Sequence, residues 1–146
     1  MKKEVEKLLQ YVQKPARYIG GELNAVVKDK DKVDIRYAFC FPDTYEIGMS
    51  HLGMKILYGL VNDREDSWCE RVFAPDNDME EQLRKNNVPL FALESGDYIK
   101  DFDMIGFTLQ YELSYTNVLN MLNLAQIPLK SSDRKSLTPL ICVGGP

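Results

Sequence analysis

An α/β fold with a doubly wound, mostly parallel, flavodoxin-like sheet is what this sequence predicts, on three observations. Runs rich in β-branched and aromatic residues alternate with runs of helical period from about residue 33 onward. The connections between them are short. The first such run, Val33 to Phe41, becomes almost wholly apolar toward its end, as a strand buried on both faces requires. A chain of 146 residues that is 45% hydrophobic is long enough to close one such core without disulfide staples.

Taken in order, Val5, Leu8, Leu9 and Val12 recur at i, i+3, i+4, i+7 and predict a short amphipathic helix over about 3–12, ended by Pro15. Arg17 to Glu22 has no sustained period and carries Gly20-Gly21, so an irregular or hairpin-like arm is expected. Ala25-Val26-Val27 reads as a short edge strand, set off by the charged turn Lys28 to Lys32. Residues 1–32 thus form an N-terminal helix and arm, and 33–146 the α/β domain proper. Pro42 stops the first strand, and a loop from Asp43 to Gly48 leads into a helix over about 49–62. Its apolar stripe is Leu52, Ile56, Leu57, Leu60 and Val61. Gly53 and Gly59 cost this helix propensity, which points to close packing or to mere tolerance. Trp68 to Phe73 is the second strand, and Asp76-Asn77-Asp78 offers the N-cap of a helix ending near Asn86-Asn87. Leu90 to Leu93 is a minor or edge strand, and Met104 to Leu109 a stronger one. Val118, Met121, Leu122 and Ala125 place a helix at about 113–126, closed by Pro128. Leu140 to Val143 is the last strand, followed by Gly144-Gly145-Pro146. The expected strand order is 2-1-3-4. Such folds usually cover that last strand with a helix and add another strand, so the sequence reads as the front of a longer polypeptide, truncated at its C-terminal end.

Composition narrows the function classes. A net charge of -4 provides no basic field for a phosphate backbone, so nucleic acid is not an expected partner. Cys40, Cys69 and Cys142 are an odd, widely spaced set without a Cys-x-x-Cys pair, which argues for small buried hydrophobes in a reducing cytoplasm rather than a disulfide framework or a local metal site. The first six residues already contain acids, and no stretch reaches the ~20 apolar residues of a membrane span. No membrane role is expected.

Three loops fall at the carboxyl ends of strands that the predicted order makes neighbours: Asp43 to Gly48, Thr108 to Tyr111, and Gly144-Gly145. In open α/β sheets the ligand crevice lies there, at the topological switch point. Asp43-x-Tyr45-x-x-Gly48, Thr108-Leu109-Gln110 and Gly144-Gly145 resemble the Asp-x-His-x-x-Gly, Ser-x-Leu and Gly-Gly motifs of cobalamin-binding domains. More closely, Lys14-Pro15-Ala16-Arg17-Tyr18-Ile19-Gly20-Gly21-Glu22, Phe41 to Gly53 and Gly106 to Asn117 resemble the N-terminal region of a family of cobalamin-binding-domain radical S-adenosylmethionine proteins.

The resemblance implies cofactor-binding roles for Asp43, Tyr45, Gly48, Thr108, Gln110, Gly144 and Gly145. Gly48 would leave backbone bare for the corrin, Gly144 and Gly145 a slot for its nucleotide tail, and Thr108 a hydroxyl for the buried base. Gln110 stands where the pattern has leucine, and Tyr45 where it has the cobalt-ligating histidine. A phenol of ordinary pKa ~10 is a poor donor at neutral pH, so the implied cobalamin is base-off with no histidine ligand. His51, the only histidine, stands eight residues past Asp43 rather than two and at a helix start, where it caps or faces the crevice. Asp43 with Glu46 makes a weak acid/base pair, Ser50 with His51 no demonstrated nucleophile pair, and no catalytic residue is assigned. The implied iron–sulfur cluster and S-adenosylmethionine belong to a downstream radical S-adenosylmethionine domain of the same polypeptide. Two alternatives stand beside this: a degenerate cobalamin-type domain without cofactor that docks or recognises substrate, and another flavodoxin-like protein such as a receiver or flavin carrier. An unpaired last strand also offers an edge for a homodimer.

Overall fold

The computed structural model describes residues 1–145. Its elements are α1 (Lys3–Leu8), β1 (Ile35–Phe41), α2 (Tyr45–Ser50), α3 (Leu52–Asn62), β2 (Ser67–Phe73), α4 (Asn77–Asn86), β3 (Met104–Thr108), α5 (Ser114–Leu124) and β4 (Leu140–Gly144). The four strands form one sheet in the order β2-β1-β3-β4. All pairings are parallel. The expected fold class and strand order are therefore those observed.

The sheet is packed on both faces. On one, Ala38, Cys40, Val72, Ile105 and Phe107 meet Met79 and Leu83 of α4 and Met121 and Leu122 of α5. Residues before the sheet join this core, with Val5, Leu8 and Val12 in the same cluster. On the other face Phe39, Phe41 and Cys69 meet Met54 and Tyr58 of α3. No residue of β3 or β4 belongs to that second cluster.

Four local expectations are corrected. Ala25 to Val27 is not a strand. The Val26 N–H donates to the Tyr58 hydroxyl at 2.7 Å and its carbonyl accepts from Trp68 Nε1 at 2.9 Å, so side chains satisfy the groups a strand would have paired. Leu90 to Leu93 is a buried connection, not a strand. Its backbone is bound to scattered partners, Leu90 N to Leu124 O and Leu93 N to Arg71 O among them.

The helix expected over 49–62 is two helices broken at His51, whose Nδ1 accepts the Met54 N–H at 3.1 Å and caps α3. At the head of α4 the position was right and the bond was not. Asp76 is the N-cap residue but makes no capping bond, its carboxylate being paired with Arg17.

The orientation of α3 is the largest correction. Its buried residues are Met54, Tyr58 and Asn62, while Leu52, Ile56, Leu57 and Leu60 point to solvent. The polar residues face inward because each has work there. Asn62 donates to Cys69 O and accepts from Cys69 N, both at 3.0 Å, completing the outer side of edge strand β2. Tyr58 binds Val26 and lies under the Arg71 guanidinium, 4.7 Å from its ring centroid. Gly59 has open space where a Cβ would stand, so close packing is not its reason.

Candidate functional site

β1 delivers Pro42 and Asp43 to the carboxyl edge of the sheet, and three neighbouring segments fix them there. Asp43 Oδ1 accepts from Thr44 N at 2.7 Å and Oδ2 from the Tyr111 hydroxyl at 3.0 Å. Asp43 O accepts from Ala74 N at 3.0 Å, and Asn117 Nδ2 donates to Pro42 O at 2.9 Å. The loops after β1, β2 and β3 are thereby bound to one another, as the strand order implied.

Thr108 ends β3 opposite Gly144 of β4, and Leu109 N continues the ladder to Gly144 O at 2.7 Å. The Thr108 hydroxyl accepts from Gln110 Nε2 at 2.5 Å. A Cβ on Gly145 would strike the Leu109 carbonyl, so the chain's own geometry requires that glycine, whereas a Cβ on Gly144 would meet nothing. Beside them opens a cleft of about 450 Å³, walled by Gln110, Tyr111, Glu112, Tyr115, Gly144 and Gly145. Two half-exposed tyrosine rings, a carboxylate and an amide give it the surfaces to stack on a planar group and to bind amides or hydroxyls.

Tyr45 and Gly48 lie elsewhere. The Tyr45 hydroxyl donates to Glu22 Oε1 at 2.9 Å, and its ring sits edge-on to Phe73 with centroids 5.5 Å apart. Burial, then the Glu22 hydrogen bond, pushes its pKa up to about 12. Gly48 is buried, and a Cβ there would overlap the Phe73 ring, so the packing of Phe73 and Phe41 accounts for this glycine.

The sequence offered no sign of what holds Tyr45. Glu22 also pairs with Arg71 at 3.0 Å, and Arg71 with the buried Glu94 at 2.6 Å. Tyr18 of the same arm accepts from Asp76 N at 3.1 Å, and Arg17 binds Glu46 and Asp76. The arm quoted as a family string is thus strapped over the end of β2, turning at Gly20 and Gly21, whose φ values are +67° and +85°. The space it encloses, between Tyr18, Tyr45 and Arg71, is about 20 Å³, room for about one water. Glu46 is engaged by Arg17 and Lys14, and Ser50 donates to Glu46 O.

A second cleft, of about 640 Å³, lies over the ends of β1 and β2 and is polar, with Asp43, Asp76, Asp78 and Glu80 beside Asn117 and Asn120. Among the described residues, no three His, Cys, Asp or Glu side chains are grouped to hold a metal ion. Among the described residues, no helix is long and apolar enough to cross a membrane.

The sequence-family model described as "Radical SAM proteins, N-terminal" matches residues 53–146, more than half of the chain. Thr108, Gln110, Gly144 and Gly145 lie inside the match, and Asp43, Tyr45 and Gly48 before it. No curated protein matches the chain, and no solved structure does. With its parallel α/β sheet and the cleft at the carboxyl ends of β3 and β4 falling in the matched stretch, the chain belongs to the family of N-terminal regions of radical SAM proteins.

Proposed function

We propose that this chain is the cofactor-binding N-terminal module of a radical SAM enzyme, and that its β3–β4 cleft holds the nucleotide tail of a base-off cobalamin. The observation that carries the reading is the open space at Gly144, paired with Thr108 and in a cleft that Tyr111 and Tyr115 also line, at the carboxyl edge where α/β sheets bind their ligands. Cobalamin, when bound, supplies methyl-transfer or radical chemistry at cobalt. The residues present fit its tail and not a cobalt ligand. His51 is committed to capping α3, and Tyr45, whose phenol is held above its ordinary pKa by burial and by the Glu22 hydrogen bond, stays protonated at neutral pH. The tasks left to this chain are to seat the tail on Gly144, flank it with Tyr111 and Tyr115, and offer the Thr108 hydroxyl once Gln110 swings aside. The iron–sulfur cluster and S-adenosylmethionine are assigned to the radical SAM domain that follows on the same polypeptide.

The test is retention of corrin by the polypeptide carrying both domains, after hydroxocobalamin loading and desalting. A stoichiometric corrin with a base-off spectrum is expected, lost in Gly144→Leu while the far-ultraviolet circular dichroism is unchanged. No retention by the unaltered protein at saturating ligand, or retention indifferent to Gly144→Leu, overturns the reading. The Gln110–Thr108 and Tyr45–Glu22 hydrogen bonds favour a second reading, because they hold two expected cofactor contacts within the protein. In that case the carboxyl edge serves as a docking or substrate-recognition surface without corrin.

A further inference from the structure

A helix on the outside of a sheet normally turns charge toward water and its apolar stripe inward. α4 does so, exposing Glu81, Arg84 and Lys85 and burying Met79 and Leu83. α3 does the reverse. Lys55 is its single charged residue, and Leu52, Ile56, Leu57 and Leu60 are 70%, 53%, 51% and 59% exposed. Around the helix axis these four fall on the side opposite Met54, Tyr58 and Asn62, with Gly53 and Gly59 among them, so they form one continuous face. Inward polar residues that bind β2 and Val26 explain why the helix cannot roll over to bury its leucines.

We propose that this outer face of α3 is the seat of the radical SAM domain of the same polypeptide. The inference rests on the chain being the N-terminal module of such a polypeptide, and not on corrin. The four side chains expose on the order of 300 Å² of apolar area, about the size of the largest patch on an ordinary monomer, which is often functional. Two separate copies need about 800 Å² from each partner for a stable complex, so α3 meeting α3 falls well short. A tethered domain does not need that area, because the link holds it at an effective concentration of roughly millimolar. Its contact surface must be apolar and able to pack into the shallow position left by Gly59. Leu52 stands at the start of α3, which leaves the carboxyl edge of the sheet, so one partner can cover both that edge and this helix.

The test is hydroxyl-radical labelling of the polypeptide with both domains, in which other leucines of this chain serve as references. Leu52, Leu57 and Leu60 are expected to react as slowly as the buried Leu83 and Leu90, and unchanged on about a hundredfold dilution, as an intramolecular contact requires. Labelling at or above the rate of the half-exposed Leu119 and Leu129 overturns the proposal, and so does protection that disappears on dilution, which assigns the face to a second copy. Ile56→Lys combined with Leu60→Lys, two exposed positions that do not enter the core, should raise Leu52 and Leu57 at least to the rate of Leu119 and Leu129. Persistent protection in that variant overturns the proposal too. Corrin retention is read separately, so a module without cobalamin still gives a decisive labelling result.

Discussion

Tyr45 shows how a single side chain changes meaning once its neighbours are known. In the sequence it occupies the place of a ligand. In the fold it donates to Glu22, which also holds Arg71, so it clasps the N-terminal arm to the end of β2. Its raised pKa follows from that setting and gives a direct check. The difference in phenolate absorbance between the native protein and Tyr45→Phe should titrate near pH 12, and a midpoint near 10 would mean a free hydroxyl. Because the folded pKa lies above the unfolded one, the stability linked to this group is complete below about pH 10 and is lost as pH rises through about 12. Denaturant midpoints across that window should therefore fall less steeply in Tyr45→Phe than in the native chain.

At the level of elements, α3 is a helix placed by its polar residues. Periodicity assigned its leucine stripe to the core on the general rule that apolar area seeks burial. The rule lost to hydrogen bonds: Asn62 occupies both outer backbone groups of Cys69, and Tyr58 supplies the partner of Val26, groups that would be costly to leave unpaired. Lys28 completes the far end by donating to the carbonyls of Asn62, Arg64 and Ser67. Gly59 sits with no atom near its absent Cβ, so Gly59→Ala should stabilise the domain by about 0.5–1 kcal/mol through helix propensity, read as a higher denaturant midpoint at unchanged slope.

Across the whole molecule, two ionic clusters pin the sheet to the segments that cross it. Arg36 of β1 binds the fully buried Glu70 of β2 and Asp97 of the following connection, and Glu70 also accepts from Ser95 N at 2.9 Å. Arg71 does the same for the arm and Glu94. Glu70→Ala should cost about 1–3 kcal/mol, because Arg36 keeps Asp97 but loses its buried partner and Ser95 N loses its acceptor, and equilibrium urea unfolding would register it. The β3–β4 cleft and the outer face of α3 carry no salt bridge among the described residues.

The sequence by itself determined the fold class and the strand order. These follow from the period of hydrophobic residues, from short connections and from the handedness of crossovers, which are properties local to the chain. It also placed His51 at a helix start, where capping was one of its two readings. Tertiary structure alone decided that α3 faces outward, that Leu90 to Leu93 is buried without being a strand, and that Gly48 answers to Phe73 while Tyr45 answers to Glu22. Each depends on a partner distant in sequence that satisfies a polar group or fills a space, and no local pattern encodes the identity of that partner.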